Sequence, residues 1–387
     1  MAADISPEGT VEPGWGPVAD AFVANFSDRH EVGAACCVYR EGRPVVDIWA
    51  GTAHPVTGSG WRRDTLQLVF STTKGASAIC AHLLAQRGTL DLDAPIADVW
   101  PEFAANGKES IPLRWVLCHR AGLAAIEGDL NLADVLAREP VVAAIAAQSP
   151  NWEPGTAQGY HVRAYGWIVG EVVRRVTGRT LGRFFDEDIA RPLGLDFWIG
   201  LPEVEEARVA SIVPPPEAVL DGIAAFYPRD TLAGRAMSGP SGLFRYSDMW
   251  NGRALHATEM PSSNGIADAR SVARLYAATV GAPADGPGAG MRLLDPATIA
   301  DATRERSDEP DVITGFPMRI GTGFMLAPTI GPVGARAFGH SGAGGSLGFA
   351  DPDAGLGFGY VMNRLEFGTV DARSGLLAAA TYRCLGE

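Results

Sequence analysis

Ser71 and Lys74 stand three positions apart in the stretch Phe70-Ser71-Thr72-Thr73-Lys74-Gly75. On a helix, residues at that spacing share a face, so a hydroxyl and an amine there can touch. A serine activated in this way becomes a nucleophile without a histidine. A desolvated lysine can lose its proton and act as a base, which an arginine cannot do. Of the 32 basic residues only Lys74 and Lys108 are lysine, so arginine carries the surface charge and a lysine has another task. Random placement of 18 serines and two lysines would give this spacing only roughly 0.1 times. The competing reading is a serine that caps a helix beside a solvated lysine.

The surrounding elements must hold this pair. Thr65-Leu66-Gln67-Leu68-Val69 reads as a short extended lead-in. Ala76, Ile79, Cys80, Leu83 and Leu84 then follow at the spacing of a helix that buries one stripe, with Gly88 as its stop. Upstream, residues 18–26 predict an amphipathic helix. Residues 34–39 and 45–49 predict two strands joined by a hairpin at Arg40-Glu41-Gly42-Arg43. From about 90 to 200 the pattern is helical and broken by turns. One turn carries His119, read as structural, and another at 152–156 leads to Tyr160. Helices are expected through 165–176, ending at Gly178, and from Leu181 to Pro192. Residues 200–315 carry little signal beyond loops at 214–216 and 282–288. The last third reads as strands at 320–326, 335–340, 346–350 and 356–362, the final two joined by a turn at 351–355, then a closing helix at 370–383. Strands at both ends of a helical middle predict a mixed α/β sandwich with an inserted helical lobe. It reads as one unit over 1–387, with approximately 1–95 and 310–387 forming the α/β lobe and approximately 96–309 the mostly helical one.

Composition narrows the classes. Apolar content of 47% and charged content of 20% fit a soluble globular chain with a large core. A net charge of −13, with no local Lys/Arg cluster, argues against nucleic acid or an anionic membrane as partner. No apolar run is long enough to span a bilayer. Cys36, Cys37, Cys80, Cys118 and Cys384 form no metal or redox spacing, and Cys36 and Cys37 would point to opposite faces of a strand. An odd count without a signal-peptide pattern suggests reduced thiols in the cytoplasm.

Three blocks in order resemble the signatures of the serine β-lactamase and penicillin-recognising superfamily: the Ser71 block, Pro154-Gly155-Thr156 with Tyr160, and His340-Ser341-Gly342. The tyrosine in the second block resembles the class C-like branch, and within it the family VIII carboxylesterases. The resemblance spans residues 70–342. It implies a β-lactamase-like fold, a mainly antiparallel sheet flanked by helices with an inserted all-helical lobe, and neither cofactor nor metal. Two positions depart from the pattern: Val162 stands where Tyr-x-Asn has its Asn, and His340 where Lys-Thr-Gly has its lysine. In the relatives those residues help hold the amide and carboxylate of a β-lactam. Their loss favours a small neutral ester.

On this reading Ser71 attacks the ester carbonyl and forms an acyl-enzyme. Lys74, kept neutral by burial, takes the Ser71 proton or holds Tyr160 as phenolate, and Tyr160 moves the proton to the leaving alcohol. By analogy with the family, the backbone N–H groups of Ser71 and Ala343 form the oxyanion hole, while Val162, His340, Ser341 and Gly342 line the substrate site. A β-lactamase, a D-amino-acid peptidase or amidase, and an acyltransferase would use the same residues. Gly344-Gly345-Ser346-Leu347-Gly348 also satisfies the Gly-x-Ser-x-Gly elbow of other hydrolases. That motif needs a helix after the serine and a histidine later in the chain. A strand is expected after Ser346 and no histidine follows it, so Ser346 is not the nucleophile.

Overall fold

The structure, a computed structural model, describes residues 5–367 and 372–386. Its strands are β1 (Glu8–Val11), β2 (Gly33–Arg40), β3 (Arg43–His54), β4 (Ser59–Gly60), β5 (Gln67–Leu68), β6 (Phe197–Ile199), β7 (Gly265–Ala267), β8 (Met325–Leu326), β9 (Phe338–Ser341), β10 (Leu347–Asp351) and β11 (Leu356–Met362). The helices that matter here are α1 (Gly16–Asp28), α2 (Thr73–Gln86), α3 (Ala164–Thr177), α4 (Glu217–Phe226), α5 (Ala269–Val280) and α6 (Ala372–Arg383).

One antiparallel sheet runs in the order β1-β3-β2-β11-β10-β9-β8, with β4 beside β3. The first and last thirds of the chain therefore meet at the β2–β11 pair, where Cys36 faces Tyr360 and Arg40 faces Leu356. The β2–β3 hairpin turns at Glu41 and Gly42, both in the left-handed region at φ 49° and 80°, the conformation a two-residue hairpin needs. In the β10–β11 turn the Asp351 carboxylate accepts the Asp353 N–H at 2.9 Å, which is how Asp shapes a turn.

Helix α5 lies on one face of this sheet, across β2, β10 and β11. Small residues on both sides bring the two backbones together. Gly357 and Gly359 share a face of β11, as strand alternation requires. A Cβ on Gly359 would sit 2.2 Å from the Ala269 carbonyl oxygen, and one on Gly357 would sit 2.4 Å from that of Ala273. Phe358 and Tyr360 point to the opposite face, where α1 and α6 pack against each other. The sequence expectation placed 269–280 in the helical lobe; the structure puts this helix on the sheet.

Other differences are local. The segment 320–326 is a turn with only Met325–Leu326 in strand, because Gly323 takes φ 88° and the Gly321 N–H donates to the Phe324 carbonyl at 2.9 Å. Strands β1, β6 and β7 had no sequence signal, being short and half-polar or isolated, whereas β5 falls in the extended lead-in expected at 65–69. Helix α2 is buried on every side from Thr73 to Leu84, not along one stripe. Gly75, Ala76, Ser77, Ala78 and Ala81 keep it slim enough to run through the centre. Among the described residues no helix is long and apolar enough to cross a membrane.

The close approach of α5 to β11 gives a direct test. Gly359→Ala should lower the unfolding free energy by about 1–3 kcal/mol, the usual cost of overpacking. Gly222→Ala, in α4 with nothing near its Cβ position, should raise it by roughly 0.5–1 kcal/mol. Urea unfolding of the two variants decides. A Gly359→Ala protein as stable as the wild type would show that α5 can step back freely.

Candidate active site

Ser71 sits on a turn held under strain. Strand β5 delivers the chain to Phe70, whose φ of 43° is unusual for a bulky residue. A tight turn over Phe70–Thr72 follows, and α2 begins at Thr73. The surroundings over-determine this conformation, as strained residues require. The Thr73 hydroxyl donates to the Phe70 carbonyl at 2.5 Å and accepts the Gly265 N–H at 2.8 Å. The Val69 N–H donates to Gly265 at 2.8 Å. The Phe70 ring is packed edge-on against Tyr246 and Trp250, with centroids 5.6 and 5.2 Å away. Ser71 is half-buried, while its neighbours Thr72 to Lys74 are buried.

Lys74 is fully buried, with Nζ 3.1 Å from Ser71 Oγ, 2.7 Å from the Val162 carbonyl and 3.1 Å from the Ser262 carbonyl. None of these partners is a carboxylate. Burial drives its pKa well below the ordinary lysine value, and the nearby Arg163 guanidinium adds to the shift. Arg163 is buried too, donating to the Met237 and Gly239 carbonyls at 2.7 and 3.2 Å and lying 4.5 Å over the Phe244 ring. Two neighbouring buried cations without a counter-charge are costly, and only the lysine can shed its proton. As a neutral amine, Lys74 has two N–H groups for the two carbonyls and a lone pair for the Ser71 hydroxyl.

Tyr160 is buried with its ring 4.7 Å from Lys74 Nζ. Burial raises its pKa, with a Ser71 hydrogen bond pulling the other way, so it rests as a phenol at neutral pH. Histidines pack around it. The His119 ring lies 4.7 Å away and that of His340 6.1 Å away. His119 Nδ1 accepts the His161 N–H at 3.2 Å. His161 Nε2 accepts the Leu123 N–H at 3.0 Å, so its Nδ1–H donates to the Gly159 carbonyl at 2.6 Å. Burial holds all three neutral: His161 is pushed down to about 4, His340 to about 3, and His119 well below its usual range.

The structure brings Ser71, Lys74, Tyr160 and His340 into one cluster, with Val162 contributing its carbonyl to Lys74. His340 Nδ1 is 2.6 Å from the Ser341 carbonyl, and its buried Nε2 has no hydrogen-bond partner among the described residues. The Ser341 hydroxyl lies 3.6 Å from Met325 Sδ. Gly342 runs so close to the nucleophile turn that a Cβ there would meet the Val69 carbonyl oxygen at 2.2 Å. Among the described residues the backbone N–H groups of Ser71 and Ala343 donate to no other group of the chain. Ser346 immediately precedes strand β10, not a helix. Its buried hydroxyl donates to the Val69 carbonyl at 2.8 Å and lies 3.1 Å from Thr72 Oγ1. It ties the third block to the nucleophile turn.

Sequence reasoning missed several supports. Ser262 acts through a carbonyl, which every residue has. Arg163 and Thr72 adjoin singled-out positions but carry no spacing signal. Arg373, near the C-terminus, reaches 2.7 Å to the Gly344 carbonyl and 3.0 Å to Glu31 from inside the core.

Comparisons with known proteins identify the family and the fold. The chain matches the Beta-lactamase family over residues 19–382. It is 35% identical over 369 residues to the esterase/beta-lactamase LipL of Mycobacterium tuberculosis, covering 92% of this chain and 83% of that protein. The crystal structure of a family VIII carboxylesterase superposes with a TM-score of 0.85 at 40% identity, over 98% of this chain and 100% of the other. EstA from Arthrobacter nitroguajacolicus Rue61a gives a TM-score of 0.88 at 35% identity, over 97% and 98% of the two chains. With the family match over nearly the whole chain and the shared fold, the chain belongs to the β-lactamase family, in the superfamily of serine β-lactamases and penicillin-binding proteins.

Proposed function

We propose that the protein is a carboxylesterase that cleaves small neutral esters through an acyl-enzyme on Ser71. The observation that carries this reading is the Lys74 amine, buried without a carboxylate and 3.1 Å from Ser71 Oγ. Lys74 takes the hydroxyl proton as Ser71 Oγ adds to the ester carbonyl carbon. The Ser71 and Ala343 N–H groups receive the oxyanion. When the tetrahedral intermediate collapses, the bond to the alcohol oxygen breaks and Tyr160 gives that oxygen its proton. The acylated enzyme then holds a Lys74 ammonium beside a Tyr160 phenolate. Water adds to the acyl carbon and loses a proton to Tyr160, while Ser71 leaves with the proton held on Lys74. Both groups return to their resting forms.

Substrate charge follows from the two departures in the signature blocks. Val162 offers no side-chain amide, and His340 is neutral, so no cation stands where a lactam carboxylate is held in the relatives. The names of LipL and of the family VIII structure support an esterase. LipL's name also pairs esterase with β-lactamase, and lactam cleavage is the second reading, on the same residues. Cys36, Cys37, Cys80 and Cys118 are buried free thiols, and we place the protein in the cytoplasm, where thiols stay reduced.

Nitrophenyl butyrate should be turned over much faster than a chromogenic cephalosporin. Dominant cleavage of the cephalosporin would overturn the substrate and leave the residues standing. Ser71→Ala and Lys74→Ala should each lower kcat by roughly 10³-fold or more, as for members of a unit that acts together. Lys74→Arg should do no better, because guanidinium keeps its proton; retained activity there would remove Lys74 as base. The pH profile carries the sign of the shift. Because burial lowers the Lys74 pKa, kcat/KM should already be at its plateau near pH 8 and fall only on the acid side as the amine protonates. A rate still climbing towards pH 10 would mean an ordinary lysine.

A further inference from the structure

We propose that the apolar cavity beneath α4 receives the hydrophobic group of the ester, so that aryl and medium-chain esters are the substrates and acetates are poor ones. This rests on the esterase reading and adds a substrate class to it. The cavity has a volume of about 420 Å³, within the roughly 300–1,000 Å³ typical of small-molecule sites. Leu220, Ile223 and Ala224 of α4 form its roof, and Tyr227 closes one end. Met237, Phe244, Tyr246 and Phe367 wall it from below.

Two of these walls connect to the reacting groups through intervening residues. The Tyr246 ring packs 5.6 Å from Phe70, the residue before Ser71, and 4.7 Å from Phe367 on its other side. The Met237 carbonyl accepts from Arg163 at 2.7 Å, and Arg163 follows Val162, whose own carbonyl holds Lys74. At the rim, Arg245 is paired with Glu217 at 2.8 Å and with Asp221 at 3.8 Å, which directs its charge outward.

The roof is a thin one. Leu220 is the one buried residue of α4. At its end the exposed Phe226 stacks on the exposed Phe316, with centroids 6.2 Å apart and planes 4° from parallel. Tyr227 donates to the Thr314 carbonyl at 3.3 Å. The same loop reaches the Tyr160 segment, where the Val312 N–H donates to the Gln158 carbonyl at 2.9 Å. The helix over the cavity is thus fastened to the loop that runs past the acid–base tyrosine. An apolar group of matching size gains the burial that this cavity provides.

The test compares two ester series: nitrophenyl esters from acetate to decanoate, which vary the acyl group, and acetates of alcohols from ethanol to decanol, which vary the other end. In one series kcat/KM should rise at least tenfold from the shortest ester to a medium-length one. Ala224→Trp places an indole in the cavity from an exposed helix position, and should cut that long-to-short ratio by roughly ten- to 200-fold, the discrimination apolar pockets achieve. Ala225→Trp, exposed on the same helix and outside the cavity lining, should leave the ratio as it was. Phe367→Ala, which enlarges the cavity, should move the optimum to longer chains. A flat wild-type profile in both series, or an Ala224→Trp ratio equal to the wild type's, overturns the cavity assignment while the esterase reading stands. No turnover of any ester overturns both.

Discussion

Burying the Lys74 amine beside Arg163 with no carboxylate in reach would cost several kcal/mol if both groups stayed charged. Losing the lysine proton removes most of that cost, and the rest of the site follows from it. The amine needs acceptors for its remaining N–H groups, and the chain supplies two carbonyls from distant segments, Val162 and Ser262. Those carbonyls aim the lone pair at Ser71. The strained Phe70 backbone then keeps the hydroxyl at the rim of the turn instead of inside the helix. Histidines that burial keeps neutral surround Tyr160, so none of them adds a positive charge beside Lys74 and Arg163. In the proposed mechanism, Lys74 and Tyr160 hold opposite charges side by side during the reaction.

This arrangement was legible in the sequence to the extent that it is local. Ser71 and Lys74 lie on one helix face, and their spacing alone places them in contact. Tyr160 and His340 lie 86 or more positions away from Lys74, and no periodicity links them to it. Only the resemblance to known signature blocks singled them out. The carbonyls of Val162 and Ser262 carry no residue-type signal at all, and Ser346, a decoy by motif, has its actual work in tying two turns together.

The fold shows the same division. Hairpins and helices with strong patterns were readable because turn chemistry and apolar periodicity act over a few residues. The layer to which α5 belongs was not. Its alanines 269, 273 and 277 and the glycines of β11 fit one another across 80 or more residues, and each set alone reads as weak packing. The 320–326 segment failed for the opposite reason: its Ile, Met, Phe and Leu suggest a strand, yet Gly321 and Gly323 fold it into a turn. The burial of α2 on all sides also escapes a one-stripe pattern, since small residues on its other faces are what allow neighbours to approach.

The sheet order β1-β3-β2-β11-β10-β9-β8 has a consequence for how the chain is made. A ribosome releases the N-terminal hairpin first, and its β2 strand then presents an open, largely apolar edge. The strand that covers this edge is β11, translated near the end of the chain, and the Arg373 contact to Glu31 and the Gly344 carbonyl comes later still. Contacts of such long sequence separation form slowly, and an open edge in the meantime can pair with the wrong strand. Between the making of β2 and of β11 the nascent protein holds half a sheet, and the loop carrying Ala343 acquires its support only when the helix bearing Arg373 has emerged. The support of this loop therefore waits for the segment around Arg373 and does not come with the first lobe to fold.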